Sequence, residues 1–316
     1  MALEPQGAYA YGLRIGRRSA DLVLVDFLGT VVAQISQRYA YPVPQQIEAF
    51  CRDGIATLGA QLTATHAGRV VGLGVASPFE IWNWLDQLGA PSDEARKWLG
   101  YRFDDGFAKF TDLPVLVSND VNLACTGELL FGVGAGMRDF IYFYVGSYVG
   151  SAIVMNGRVF HGANGNAGAF GSIPTGTEAD PDAQLIASSS LITLEKILSQ
   201  KHGRPVNIRA YGSFWQREHP LVSNWMDQSA RSMARAALSV VAALDITNVV
   251  IDGVFPAEIR RDLFARLLKA SIRLDHRGIH PPVFHESQLG DTAGPLGAAC
   301  QPLLKELFVE GSELAQ

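Results

Sequence analysis

Cysteine is scarce in this sequence. Its 316 residues contain three cysteines, Cys51, Cys125 and Cys300, which lie far apart and form no CxxC pair. This spacing argues against both a disulfide framework and a structural zinc site. We therefore expect a reducing compartment, the cytoplasm.

Long uninterrupted apolar runs are also missing. The most apolar stretch, Phe140 to Met155, is broken by glycines and serines and is shorter than the roughly 20 residues of a spanning helix. The first residues, MALEPQGAYA, place an acid and a proline where a signal peptide needs a basic start and an apolar core. These features predict no membrane segment.

The chain has no excess of positive charge. Lysine and arginine number 26 against 31 acidic residues, a net charge of −5, so there is no overall basic field to hold the chain on nucleic acid. The seven histidines show no metal-ligand spacing. What is present is typical of a packed globular protein, with 48% hydrophobic and 18% charged residues in a length that fits two domains.

Alternating hydrophobicity and turn residues predict an α/β pattern that occurs twice. In the first third we expect strands at 10–15, 21–26, 30–35 and 70–75 and a helix at 45–62. The pattern returns after Phe140 with strands, an Asn156-Gly157 hairpin turn, a helix at 224–244 and a buried strand at 248–255. Such a repeat predicts two related α/β domains facing a cleft.

A polar turn separates a strand from a helix in PVLVSNDVNL. Asn119 and Asp120 fall at this junction, where ligands bind in open α/β sheets. Free N–H groups and the helix dipole keep such a carboxylate ionised, and an ionised carboxylate can bind or deprotonate a hydroxyl group. Simple capping of the helix is the alternative interpretation of Asp120.

Several stretches together resemble the ROK family, named for repressor, open reading frame and kinase. The resemblance runs through residues 11–32, 70–78, 114–132, 144–172 and 294–299. It implies an α/β fold of two domains of the actin and hexokinase type, which is ribonuclease H-like and has an interdomain ligand cleft. The implied domains are 1–119 with the returning helix at 297–316, and 120–296.

The resemblance also implies roles for individual residues. Asp120 corresponds to the catalytic base of the family's sugar kinases, and Asn119 to a sugar-binding asparagine. Residues that correspond to the phosphate and nucleotide loops are Gly16, Arg17, Gly146, Ser147 and Gly253.

This chain departs from the kinase pattern at those loops. Arg14 replaces the acid of the first hairpin, and Arg17 and Arg18 replace a glycine and its neighbour. A side chain where bare backbone is needed blocks close approach to a phosphate, and arginine cannot hold a metal ion. Tyr148 similarly stands where a glycine is usual in the second loop.

The family's zinc motif is missing from the matching stretch AGAFGS. Ala169 takes the position of its glutamate and Ser172 that of its histidine, and no cysteine cluster follows. Because zinc needs about four N or S ligands, we predict no zinc and no other metal site.

Two further groups of residues are candidate sugar contacts. Glu80 and Asn83, in ASPFEIWNW, combine hydrogen-bonding groups with the flat faces of Trp82 and Trp84, although a core patch beneath a loop is an equal alternative. Asn166 could substitute for the missing glutamate, but asparagine beside glycine is also ordinary turn chemistry.

The favoured interpretation is a carbohydrate-binding effector protein, the sugar-sensing part of a transcriptional regulator with lost kinase chemistry. It would need no cofactor, form a homodimer, and contact DNA only through a helix-turn-helix segment absent from this chain. The alternative is an ATP-dependent sugar kinase of glucokinase or fructokinase type, which would use ATP and Mg²⁺. A sugar sensor that acts through a protein partner is a third interpretation.

Overall fold

The protein forms two compact units. The computed structural model describes residues 4–176, 180–208, 215 and 220–307. One unit runs to Gly127 and resumes at Thr292, and the other spans Glu128–Asp291. The domain boundaries expected from the sequence stay a prediction.

The first unit is built on a five-stranded sheet of order β3-β2-β1-β4-β5. Its strands are β1 (Tyr9–Ile15), β2 (Ser19–Asp26), β3 (Val31–Arg38), β4 (Val70–Ser77) and β5 (Val115–Asn119). β1, β2 and β3 pair antiparallel, whereas β4 and β5 run parallel to β1. The helices are α1 (Pro44–Gly59), α2 (Ala64–Ala67), α3 (Ser92–Arg96), α4 (Phe103–Phe107), α5 (Asp120–Phe131), whose end enters the second unit, and α10 (Ala293–Leu307).

The central position of β1 explains its composition. All of its residues are buried, because strands flank it on both edges and helices cover its faces. β3, at the sheet edge, is mostly exposed and carries polar side chains at alternate positions. α1 begins at Pro44, whose ring fits the first helical turn where no N–H partner is needed.

Small residues let α10 lie directly on the sheet and on α5. A Cβ atom added to Gly74 of β4 would stand 1.8 Å from the carbonyl oxygen of Ala298. A Cβ added to Gly297 would stand 1.7 Å from the carbonyl oxygen of Leu123. Only a residue without a side chain fits these positions, so glycine allows the backbone of α10 to pack directly against β4 and α5.

The second unit contains another five-stranded sheet, of order β10-β9-β6-β7-β8. Its strands are β6 (Phe140–Val145), β7 (Val149–Met155), β8 (Arg158–Val159), β9 (Asn248–Gly253) and β10 (Val283–Glu286). Its helices are α6 (Leu185–Ser189), α7 (Leu191–His202), α8 (Pro220–Leu244) and α9 (Ala257–Ile272). The strand order and directions repeat those of the first unit, which confirms the repeated α/β pattern.

Local sequence signals account for several of these elements. Asn156 and Gly157 both have positive φ, 55° and 73°, the conformation of a tight hairpin turn that joins β7 to β8. α9 and β10 were not predicted from the sequence. Within the described residues, no helix combines the length and the apolar character that crossing a bilayer requires.

Candidate functional site

Asn119 and Asp120 lie where β5 ends and α5 begins. The side-chain oxygen Oδ1 of Asn119 accepts hydrogen bonds from the N–H groups of Val121, at 3.0 Å, and Asn122, at 3.1 Å. Asp120 Oδ1 accepts one from the N–H of Val121 at 2.9 Å. Asn119 therefore supplies the main helix cap, and capping alone does not account for the carboxylate of Asp120.

The environment of Asp120 combines burial with positive charge. Burial raises the pKa of this carboxyl above its ordinary value, while attraction from Arg17 and Arg14 and the Val121 N–H act to lower the pKa. The net direction is upward. Asp120 is thus a partly desolvated acid whose charged form depends on two arginines of the first hairpin.

Arg14 belongs to β1 and is 7% exposed. Its Nη1 atom lies 3.1 Å from Oδ2 of Asp21, the residue directly opposite on β2. Asp21 also accepts hydrogen bonds from the hydroxyls of Ser36, at 2.7 Å, and Ser19, at 3.3 Å. Arg14 is therefore a buried cation with an acidic partner of its own.

The turn after β1 is closed by the protein's own groups. The N–H of Gly16 donates to the carbonyl of Ser19 at 2.8 Å. The hydroxyl of Tyr39 lies 2.6 Å from the carbonyl oxygen of Gly16 and 2.7 Å from that of Ser19. Arg18 donates to the carbonyl of Ala40 at 3.2 Å. The N–H of Gly16, a donor that a phosphate loop would offer, is therefore already engaged.

Arg17 projects from the same turn toward an aromatic side chain. Its guanidinium carbon lies 5.6 Å from the ring centroid of Trp84, within the range of a cation–π interaction. Because Trp84 follows Glu80 and Asn83 in one short turn, the first hairpin and the 80–84 segment meet in the first unit.

Glu80 and Asn83 act as a pair. Asn83 Nδ2 donates to Glu80 Oε2 at 2.6 Å. Glu80 has a φ of 44°, a left-handed conformation that costs a residue with a side chain about 1–3 kcal/mol. Phe79 beside it is 51% exposed. Strained backbone, a polar pair and an uncovered aromatic ring are features of a binding surface more than of a core patch.

The loop between β6 and β7 of the second unit, which contains Gly146 and Ser147, also bonds to the protein's own groups. The N–H of Gly146 donates to the carbonyl of Tyr148 at 3.3 Å. The N–H of Leu191 donates to the carbonyl of Gly146, and the N–H of Ile192 donates to the carbonyl of Ser147, both at 3.1 Å. These two N–H groups are the first of α7. A helix N-terminus that could bind an anion is therefore satisfied by the loop itself.

Gly253 ends β9 beside a buried acid that sequence reasoning did not single out. Asp252, fully buried, accepts hydrogen bonds from the N–H groups of Gly253, at 2.7 Å, and Gly290, at 3.1 Å, and from the Tyr142 hydroxyl at 2.9 Å. Burial raises the pKa of Asp252. The signal was present in VVIDG, where an acid stands near the end of a buried strand.

The stretch that matches the family's zinc motif carries no ligand set. Asn166, Ala169 and Ser172 are exposed, and the side chain of Asn166 makes no hydrogen bond to the described residues. In the part of the chain that the structure describes, no group of three or more His, Cys, Asp or Glu side chains could hold a metal ion. The residues of the first hairpin, with arginines around Asp120, likewise do not fit a magnesium ion.

Known proteins are similar to this chain over most of its length. A protein of Sinorhizobium fredii (strain NBRC 101917 / NGR234), called uncharacterized protein y4fQ, is 25% identical over 98% of this chain and 76% of its own. Three further curated relatives are matched over 23% to 54% of their lengths.

Solved structures share the fold. A ROK family glucokinase from Streptomyces griseus in complex with glucose and AMPPNP has a TM-score of 0.71 at 18% identity, with 92% of this chain and 98% of that chain covered. A ROK family transcriptional regulator, a homolog of the E. coli MLC protein, has a TM-score of 0.66 at 20% identity, with 95% and 79% covered. The actin and hexokinase type of α/β fold is thereby confirmed. The ROK family model matches residues 10–303, and the chain belongs to the ROK family.

Proposed function

We propose that this protein binds a carbohydrate as an effector and does not transfer phosphate. The observation that carries the proposal is the surroundings of Asp120: Arg14 and Arg17 act on its carboxylate in a hairpin that the family's kinases use for phosphate and metal. A guanidinium can stabilise the carboxylate but cannot ligate Mg²⁺.

In this proposal, Asp120 binds a sugar hydroxyl as a charged acceptor. Asn119 presents its amide at the same strand-to-helix junction, with its oxygen committed to the helix N–H groups. Glu80 and Asn83 offer a second polar pair, and the exposed ring of Phe79 beside them suits the apolar face of a sugar. Asn166, in the second unit, stays a separate candidate for a sugar contact.

The proposed loss of phosphoryl transfer is supported by three loops whose backbone groups form hydrogen bonds within the protein. The Gly16 turn is closed by Tyr39, the Gly146 turn is bonded to α7, and the N–H of Gly253 is held by Asp252. Removing one electrostatic contact to a transferring phosphoryl group typically costs about a hundredfold or more in rate. Several such losses together would reduce the rate of phosphoryl transfer to a very low value.

The proposal includes a regulatory role as a cytoplasmic homodimer that responds to a sugar. For a sugar to change the affinity for DNA or for a protein partner, it must bind one conformational state better than another. A response without differential binding is not possible.

Calorimetric titration tests the proposal. The protein is titrated with neutral, acidic and phosphorylated sugars, and separately with ATP and Mg²⁺. We expect heat from one sugar class and none from nucleotide, and Asp120→Asn lowers the sugar affinity by about tenfold or more because a charged hydrogen bond is lost. Asp112→Asn, an exposed acid of the same unit, is the control and leaves the affinity unchanged.

The second candidate function is an ATP-dependent sugar kinase. It is favoured by the retained Asn119 and Asp120 at the strand-to-helix junction. Micromolar binding of nucleotide with sugar-dependent release of ADP, abolished in Asp120→Asn, would overturn the effector proposal in favour of this one.

A further inference from the structure

A groove on the second unit concentrates positive charge. It lies between α8 and α9 and encloses about 500 Å³. Five cationic side chains line it, namely Arg231 and Arg235 from α8 and Arg266, Lys269 and Arg273 from α9 and its C-terminal end. The positive charge is local to this groove, because the chain as a whole has a net charge of −5.

Helical spacing brings these side chains to the same groove. Arg231 and Arg235 are four positions apart on α8, and on α9 Arg266 precedes Lys269 by three positions, spacings at which side chains share a helix face. Alanines form the lining between them at Ala230 and Ala265. Short side chains there leave space in the groove for a ligand.

The two acids of the groove, Asp227 and Asp262, both form ion pairs with one arginine, Arg266. Arg266 Nη1 lies 2.7 Å from Asp227 Oδ1, and its Nη2 lies 3.3 Å from Asp262 Oδ2. Arg266 also donates to the carbonyl of Ser223 at 3.2 Å. The negative charge of the groove is thus neutralised at one place, and the remaining cations are left without an acidic partner among the described residues.

The remaining cations are positioned to meet a ligand. Arg235 is held by hydrogen bonds to the carbonyls of Thr175, at 3.3 Å, and Gly176, at 3.1 Å, which fix its guanidinium without neutralising it. Arg231, Lys269 and Arg273 are exposed and make no hydrogen bond or ion pair within the described part of the chain. Their charges are open to solvent and to anions.

We propose that this groove binds a small polyanion, a molecule with two or more linked phosphate groups. Its volume lies in the range of small-molecule sites, and arginine matches phosphate oxygens through paired N–H donors. A groove of about 500 Å³ between two helices fits a compact anion better than a polymer.

Titration with inorganic pyrophosphate tests this site on the full chain. The groove variant Arg231→Gln/Lys269→Gln/Arg273→Gln is compared with Lys196→Gln/Lys201→Gln/Arg261→Gln, which removes the same charge from exposed positions outside the groove. We expect the groove variant to bind pyrophosphate about tenfold or more weakly than the unaltered protein. The control variant should lose less than about threefold in affinity, because only its net charge has changed. We also expect the unaltered protein to bind orthophosphate more weakly than pyrophosphate.

Three results would overturn the proposal. They are no heat with pyrophosphate, equal losses in the two variants, and groove-dependent binding of duplex DNA without binding of pyrophosphate. Circular dichroism and thermal melting of both variants establish that they are folded. Because sugar binding is measured separately with the same samples, failure of this site and failure of the sugar site are distinguishable.

Discussion

Arg14 and Asp21 face each other across the first hairpin, with Nη1 and Oδ2 3.1 Å apart and the arginine almost fully buried. A charge removed from water needs such a partner, and loss of one member leaves the other uncompensated. The same two residues explain how a buried arginine is accommodated in the first hairpin.

We therefore expect Arg14→Ala to lower the free energy of unfolding by about 2–4 kcal/mol, because Asp21 keeps only its serine partners. Urea unfolding followed by circular dichroism measures this. Arg38→Ala, at the exposed end of β3, is the control, with a change of about 0.5 kcal/mol or less. Equal effects of the two substitutions would contradict a structural ion pair.

The charge state of Asp120 depends on Arg17. Arg17→Ala removes an attraction that lowers the pKa of Asp120, so the pKa of this carboxyl rises further. A ¹³C NMR titration of the aspartate carboxyls, assigned with Asp120→Asn, measures the shift. Arg18→Ala serves as the comparison and leaves this pKa in place. A pKa that does not move in Arg17→Ala would remove the electrostatic link on which the effector proposal depends.

Asp252 makes stability depend on pH. Its pKa is raised from 3.8 by burial, so the folded protein holds this proton more tightly than the unfolded chain does. The resulting stabilisation is complete below pH 3.8 and is lost as the pH rises through the pKa of the folded state.

Asp252→Asn removes that titration. We expect the difference in unfolding free energy between the variant and the unaltered protein to move in the variant's favour as pH rises, by at most about 1.4 kcal/mol per pH unit. Urea unfolding between acidic and neutral pH gives both curves. Glu128, whose pKa is raised by burial and also by the charge of Asp252, has a lower pKa in the variant, and this change moves the difference in the same direction. A difference independent of pH would contradict the burial of an acid at this position.

Gly74 is expected to tolerate no side chain. The Cβ of Gly74→Ala would collide with the carbonyl of Ala298, and backbone cannot move aside as a side chain can, so we expect a loss of about 3 kcal/mol in unfolding free energy. Gly68→Ala is the matched control, because its Cβ would lie 3.8 Å from the nearest atom. Thermal unfolding of both variants compares them.

Much of the fold follows from short-range signals. The Asn156-Gly157 turn requires two positive φ angles, and the β-branched residues at 249–251 are typical of a buried strand. The pairing of Arg14 with Asp21 follows from the hairpin register, since the turn places positions 14 and 21 opposite each other. These relations involve neighbours in sequence or in one hairpin.

Other parts of the site could not be predicted because they join distant segments. Tyr39 closes the Gly16 turn from the end of β3, and the position of its hydroxyl depends on how the third strand is packed. Asp252 acquires its role from Tyr142 and Gly290, which the fold brings to it from far away in the chain. α9 and β10 carry polar residues among their apolar ones, which weakens the periodic signal.

The position of α10 has a consequence for synthesis. β1 and β4 of the first unit are covered by a helix that begins at Ala293, while the second unit is continuous from Glu128 to Asp291. On the ribosome, the strands made first emerge long before the helix that shields them, because domains fold as their segments become available. The middle of the chain can therefore reach its native form first, and the opening strands, apolar and uncovered in the interval, are the segment on which molecular chaperones would act.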